Sequence, residues 1–286
     1  NSGFEPKISV IPIHIPEALN AHLEERNAKA LYLSATLALG GEFTHFGAEI
    51  GANPRNAFLA GTPFNYAKQA YGYYPNSLPD PTRVDRSVWA EHVAQECYEL
   101  LMANHGHAFI LCTSFMDMNA IAAGLRERKY PYPVLVQNDE LKARAREIFL
   151  GTQNPTLLGT KSFWEGIDIP GLHLSLVIVP KLPFPNPSDP VIAAKSKLAE
   201  DQWFSQVSLP SMLVDLKQMV GRLIRSTSDL GVIAVLEPRI QTKNYGLRVQ
   251  QAIGLPKYGT SLAAAVKALG QIRAAHEGRQ ANAPKT

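Results

Sequence analysis

Five short apolar runs recur along this chain with helical stretches between them: Ala108 to Cys112, Val134 to Val136, Thr156 to Thr160, Leu174 to Val179 and Gly231 to Leu236. Continuous apolar runs of this length suit strands buried on both faces, as in a parallel sheet whose crossover helices cover it above and below. The intervening stretches carry the helical period. Trp89, Val93, Cys97, Leu100 and Leu101 make one apolar stripe, and Leu262, Val266, Leu269 and Ile272 make another within Ser261 to Arg273. Met116 to Arg128 reads as a helix, and Asp139 as the cap of a helix running to Leu150. Pro180 to Ser188 holds four prolines and cannot be regular structure, whereas Asp189-Pro190 reads as an N-cap with proline at the first helical position. Leu209 to Arg225 reads as a further helix. The expected class is α/β, a parallel sheet flanked by helices.

The amino-terminal part reads differently. Ala30 to Leu33 is a short apolar strand ending in the hydroxyl-bearing turn Ser34-Ala35-Thr36, and Phe58 to Pro81, with Pro63, Pro75, Pro79 and Pro81 among aromatic residues, reads as an extended connection.

Two segments carry the chemistry. In Gln218-Met-Val-Gly221-Arg222-Leu-Ile-Arg225 the two arginines are three apart, so on a helix they project from one face. Arginine presents a planar fork that engages phosphate oxygens bidentately and keeps its charge near neutral pH. An isolated Arg-x-x-Arg pair also suits a solvated helix face. The second segment, Gly159-Thr-Lys161-Ser162-Phe-Trp164-Glu165-Gly166-Ile-Asp168-Ile-Pro-Gly171, follows a strand and so starts at the carboxyl end of a parallel sheet, where open α/β folds bind ligands. Gly166 lets the backbone pass close to a phosphate, and Asp168 can accept from a ribose hydroxyl or orient an arginine. A surface loop with a chance acidic pair is the alternative. A single-strand groove needs hydroxyls or cations for phosphates and flat faces for bases. Thr113, Ser114 and Phe115 after one strand, Lys161, Ser162, Phe163 and Trp164 after another, and Lys181 with Phe184 after a third would share the carboxyl edge. Phe115 and Phe163 are expected in the core, the common place for an aromatic side chain.

With these segments together, the chain resembles the second RecA-like motor domain of the DinG/XPD family of superfamily 2 DNA helicases. Leu33 to Leu37 is similar to motif III, Cys112 to Phe115 to motif IV, Trp164 to Asp168 to motif V and Gln218 to Arg225 to motif VI, in family order. The resemblance implies a RecA-like fold, with residues 1–60 the tail of a first helicase domain, 61–86 a connecting segment, 87–279 the second motor domain and 280–286 a disordered tail. It further implies ATP and Mg2+ as cofactors, bound mainly by the chain's own N-terminal helicase domain, and single-stranded DNA as partner. Arg222 and Arg225 would be arginine fingers, with Gln218 orienting water or the γ-phosphate. Glu165, Gly166, Asp168 and Gly221 would face the nucleotide. Ser34, Thr36, Thr113, Ser114, Lys161, Ser162, Trp164 and Lys181 would face DNA, with movement 5′→3′. Glu237-Pro-Arg239 departs slightly from the Asp-Pro-Arg more usual in the family.

The sequence holds no Gly-x-x-x-x-Gly-Lys-Ser/Thr loop and no Asp-Glu-Ala-His segment, so it carries half of an ATPase site. Its 286 residues are 45% hydrophobic, ample for a sizeable core, and the formal charge of +3 does not by itself point to nucleic acid. No apolar run of about 18 residues and no signal-peptide pattern occur, so a cytoplasmic protein without a membrane partner is expected. Cys97 and Cys112 form no Cys-x-x-Cys pair, and neither a metal site nor an iron–sulfur cluster is expected in this chain. His45, His92, His105 and His107 are scattered and read as ordinary histidines. A DNA-binding or docking module without motor activity is the second reading. A stand-alone α/β enzyme lacks any supporting triad, metal or dinucleotide motif. Oligomeric state is left open.

Overall fold

A computed structural model describes residues 10–53, 56–164, 169 and 171–281, which fall into two compact units. The smaller comprises Asn1–Ala60 and Phe184–Val214, the larger Gly61–Pro183 and Asp215–Thr286. In chain order the helices are α1 Ile15–Glu25, α2 Thr44–Ile50, α3 Tyr66–Gln69, α4 Arg86–Asn104, α5 Phe115–Glu127, α6 Asp139–Gly151, α7 Lys161–Trp164, α8 Pro190–Ala199, α9 Leu209–Val220, α10 Arg239–Thr242, α11 Gly246–Ile253 and α12 Leu262–Ala281. The strands are β1 Ala70–Tyr73, β2 Ala108–Leu111, β3 Val134–Val136, β4 Thr156–Gly159, β5 Leu176–Val179, β6 Gly231–Val235 and β7 Tyr258–Gly259.

The seven strands found among the described residues lie in the larger unit, in the order β3-β4-β2-β5-β6-β1-β7, and each pairs with its neighbours in parallel. Strand residues alternate between faces. Ile110, Leu158, Ile178 and Ala234 point to a core completed by Trp89, Val93, Cys97, Leu100 and Leu101 of α4, Met118, Ile121 and Leu125 of α5, and Ala265 and Leu269 of α12. On the other face Phe109 of β2 meets Phe149 of α6 edge to face at 5.1 Å. Burying each such aliphatic or aromatic side chain stabilises by about 1.5–3 kcal/mol. The expected parallel α/β sheet, with helices on both faces, is the one observed.

Local chemistry sets the helix ends. Ser114 caps α5 by accepting from the Asp117 amide, and Asp189 caps α8 by accepting from the Val191 and Ile192 amides, with Pro190 at the first helical position. The α6 cap is Asn138, one residue before the expected Asp139. Its backbone is extended (φ −148°, ψ 177°), as a capping side chain requires, and it accepts from the Leu141 amide at 2.7 Å. Asp139 opens the helix instead, where its charge complements the dipole. Gly106, at φ 78°, follows α4 so closely against Asn154 that a Cβ would stand 2.1 Å from the Asn154 carbonyl oxygen.

Four further stretches of secondary structure also differ from the sequence reading. Residues 30–33 form no strand: Leu31 and Leu33 are each 81% exposed, and no described residue offers them a ladder partner. Phe58 to Pro81 is not extended throughout, because it contains α3 and β1, and β1 sits between β6 and β7 inside the sheet. The tyrosines that suggested a connection are strand-forming residues, and Tyr73 and Tyr74 are buried. Helix α9 stops at Val220, not Arg225, as Gly221, a poor helix former, follows and the Arg222 and Leu223 amides tighten onto Met219 and Val220 carbonyls three residues back. Helix α12 continues to Ala281, past the expected end at Arg273, so the tail expected after Arg279 begins as helix, and residues 282–286 lie outside the described residues.

The smaller unit packs α1 on α2, ties Lys195 of α8 to Glu49 of α2 at 2.7 Å, and sets Phe184 against Phe204 with ring centroids 5.9 Å apart. Among the described residues no helix is long and apolar enough to cross a membrane.

Candidate functional site

Because the strands are parallel, the loops that leave them and the loops that enter them lie on opposite edges of the larger unit's sheet. The arginine-bearing segment is on the entering, amino edge. Gln218 is half-buried in the last turn of α9, Gly221 is exposed, Arg222 is half-buried and Arg225 is exposed, while Leu223 and Ile224 between them are buried. Leu223 pins the segment against β6: a Cβ on Gly231 would lie 2.6 Å from its Cδ1. Both arginines therefore lie beyond the helix. The expectation that they share a helix face gives way to a loop that presents them on either side of a buried Leu-Ile pair.

Two residues that sequence reasoning missed hold this loop. The Asp229 carboxylate accepts from the backbone amides of Arg225 (2.7 Å) and Ser226 (2.8 Å) and from Ser226 Oγ (2.7 Å). Gln69, directly before β1, donates through Nε2 to the carbonyls of Ser226 (2.8 Å) and Asp229 (3.0 Å). Ser-x-x-Asp after an arginine is an ordinary turn pattern, and nothing in the chain signals a glutamine 157 residues away.

Of the other expected nucleotide-facing residues, Glu165, Gly166 and Asp168 lie outside the described residues. Their segment starts at the carboxyl end of β4, and its other end reaches the arginine loop, since a Cβ on Gly171 would lie 4.0 Å from Asp229 Oδ1.

The carboxyl edge gathers Thr113 and Ser114 after β2, Lys161 after β4 and Lys181 after β5. Each has local work. Ser114 Oγ caps α5 and accepts from Arg86 Nη2 at 3.2 Å, and Arg86 also pairs with Asp117 at 2.6 Å. Thr113 is exposed, with its hydroxyl 3.4 Å from Asp117. Lys161 pairs with Asp215 at 2.6 Å, and Lys181 Nζ stands 5.6 Å from the centroid of the Trp89 ring. The backbone of Ser162 and Trp164 belongs to α7, but their side chains are outside the described residues. Phe163 is buried as expected and lies under Gly159, where a Cβ would meet its ring at 2.5 Å. Phe115, expected in the core, is 56% exposed, because it opens α5 just after the capping serine and faces outward. Ser34 and Thr36 belong to the smaller unit, where their hydroxyls are 3.1 Å apart and Ser34 Oγ accepts from the Thr36 amide; Phe184 belongs there too.

At the carboxyl end of β6, Glu237 is fully buried and accepts from Arg239 Nε at Oε1 (2.8 Å) and from Arg239 Nη2 at Oε2 (2.7 Å), and the Leu182 amide also approaches Oε2 at 3.4 Å. Burial lowers the Lys217 ammonium from its ordinary range and raises the thiols of Cys97 and Cys112, which suits neither cysteine to thiolate ligation. Among the described residues no three His, Cys, Asp or Glu side chains cluster as a metal site would need.

This sheet, with arginines on one edge and hydroxyls and lysines on the other, is that of a RecA-like helicase motor domain. A profile of the helicase C-terminal domain family matches residues 97–254, and the chain belongs to that family as a DinG/XPD-type superfamily 2 C-terminal domain. It is 33% identical over 248 residues to "ATP-dependent DNA helicase YoaA" of Haemophilus influenzae, covering 86% of this chain and 38% of that protein. It is 35% identical over 245 residues to "ATP-dependent helicase DinG" of Mycobacterium tuberculosis, covering 84% and 36% respectively. The chain thus spans well under half the length of these curated relatives. The solved structure titled "XPD_Helicase" superposes with a TM-score of 0.64 at 15% identity, over 86% of this chain and 45% of that one, a likeness of fold.

Proposed function

We propose that this chain is the second motor domain of an ATP-dependent DNA helicase, and that it completes from across a cleft an ATPase site whose phosphate-binding half belongs to a first motor domain. The observation that carries this reading is the arginine loop at the amino edge of β6, within a family whose curated relatives are named ATP-dependent helicases. Arg222 and Arg225 bring charge to the γ-phosphate as the cleft closes and stabilise the transition state. Gln218, one turn back, orients the attacking water or the γ-phosphate through its amide. Glu165, Gly166, Asp168 and Gly221 would serve the nucleotide, the Asp168 carboxylate accepting from the ribose or orienting an arginine.

Holding Mg2+ falls to the first motor domain, as the resemblance to the DinG/XPD family implies. With only two cysteines, the chain cannot supply the four thiolates of an iron–sulfur cluster. Single-stranded DNA runs over the carboxyl edge, where Lys161 and Lys181 meet phosphates, Thr113, Ser114 and Ser162 add hydroxyl contacts, and Trp164 offers a face to a base. Ser34 and Thr36 couple the nucleotide state to that track. Each cycle of closing and opening then advances the domains along the strand, 5′→3′.

The test is Arg222→Ala in the full-length enzyme. DNA-stimulated ATP turnover should fall by about a thousandfold or more while ATP binding is retained. Near-normal turnover would remove Arg222 from the role.

A further inference from the structure

Gln69 and Asp229 are nearly inaccessible, at 5% and 2% exposure, yet neither serves the core. Burying a primary amide and a carboxylate costs free energy unless their polar groups are matched, and here each is matched by backbone groups of a single turn. Their hydrogen bonds converge on one object, the turn that follows Arg225. The Asp229 carboxylate draws the amides of Arg225 and Ser226 inward from one side, which fixes the direction in which the chain leaves Arg225. Gln69 Nε2 grips the carbonyls of Ser226 and Asp229 from the other side. The remaining oxygen of the Gln69 amide accepts from the Asn65 backbone at 2.8 Å, so the amide cannot turn without losing a partner. Since Ala70 of β1 pairs with Gly231 of β6, the glutamine is held at the level of the loop by the sheet itself.

We propose that Gln69 and Asp229 are positioning residues of the ATPase site: they form a clasp that holds the Arg222–Arg225 loop in the orientation that presents its guanidinium groups to a γ-phosphate. This rests on the reading of those arginines given above. A finger on a loop needs such a device, because the helix that would otherwise orient it has already ended at Val220. Displacement of a catalytic group by about 1 Å can cost on the order of a hundredfold in rate. Both clasp residues are buried and present almost no surface to a ligand, so their loss acts on turnover and not on binding.

The experiment is steady-state ATP hydrolysis by the full-length helicase with saturating single-stranded DNA, comparing Gln69→Glu, Ser226→Ala, and Arg222→Ala with Arg225→Ala. Gln69→Glu keeps volume and the acceptor for Asn65 but removes both N–H donors. It should lower kcat by about ten- to a hundredfold, with KM for ATP and single-strand affinity within about twofold of the parent. Ser226→Ala, on a partly exposed residue that tolerates truncation, should lower kcat several-fold in the same pattern, and it decides the matter if the glutamine variant does not fold. In the double arginine variant Gln69→Glu should add no further loss, the non-additivity expected of groups acting as one unit. Unchanged kcat in Gln69→Glu and Ser226→Ala beside inactive arginine variants would overturn the clasp and leave the finger reading standing. A full additional loss in the arginine-less background would also overturn it, as mere destabilisation would produce. Active arginine variants would overturn the reading on which the clasp depends.

Discussion

The two edges of this sheet are built on opposite principles. On the carboxyl edge each polar candidate has a nearby partner it can exchange: Lys161 an exposed ion pair with Asp215, Lys181 the face of Trp89, Ser114 the first turn of α5. The Lys161 ion pair, on a side chain 55% exposed, stabilises by about 0–1 kcal/mol and is readily exchanged, whereas the Ser114 cap is worth about 0.5–2 kcal/mol. On the amino edge the arginine loop is fixed by buried hydrogen bonds from Gln69 and Asp229, and leaving one such group unmatched costs about 1–3 kcal/mol. A surface that grips and releases a polymer gains from weak, replaceable contacts. A group that must meet one phosphate in one geometry gains from a rigid mount.

That contrast can be broken in order of expected size. The exception on the carboxyl edge is the buried Glu237–Arg239 pair, so Arg239→Ala, which strands the Glu237 carboxylate, should destabilise by about 3–5 kcal/mol in chemical denaturation. A loss below about 1 kcal/mol would show that pair to be as replaceable as its exposed neighbours. A smaller effect is expected from Lys161→Ala. It should leave stability within about 0.5 kcal/mol, weaken single-strand binding and reduce the salt-dependence slope by roughly one unit. An unchanged slope in a salt titration would return Lys161 to ordinary surface and remove the phosphate track from that point of the edge.

The sequence was most legible where periodicity speaks. The apolar runs and stripes located five of the seven strands and the main covering helices, because a strand buried on both faces has few other ways to be written. Strand β1 escaped, since Ala70-Tyr-Gly-Tyr73 sits among prolines and resembles linker composition, and β7 is too short to register. The motif residues were legible as residue types but not as geometry. Gly221 marked the true end of α9, yet the helical spacing of Arg222 and Arg225 suggested continuation. Phe115 is apolar by type, yet the cap at Ser114 makes it the first residue of α5 and turns it outward. Gln69 was illegible in principle: its role exists only because parallel pairing brings β1 beside β6.

The most direct test of the central claim is ATP hydrolysis by this purified chain, alone and mixed with a first motor domain, with and without single-stranded DNA. If its arginines complete a site held elsewhere, the chain alone binds DNA without turning over ATP, and DNA-stimulated turnover returns on mixing. DNA-stimulated turnover by the chain alone would contradict the account and place a complete nucleotide site within these residues.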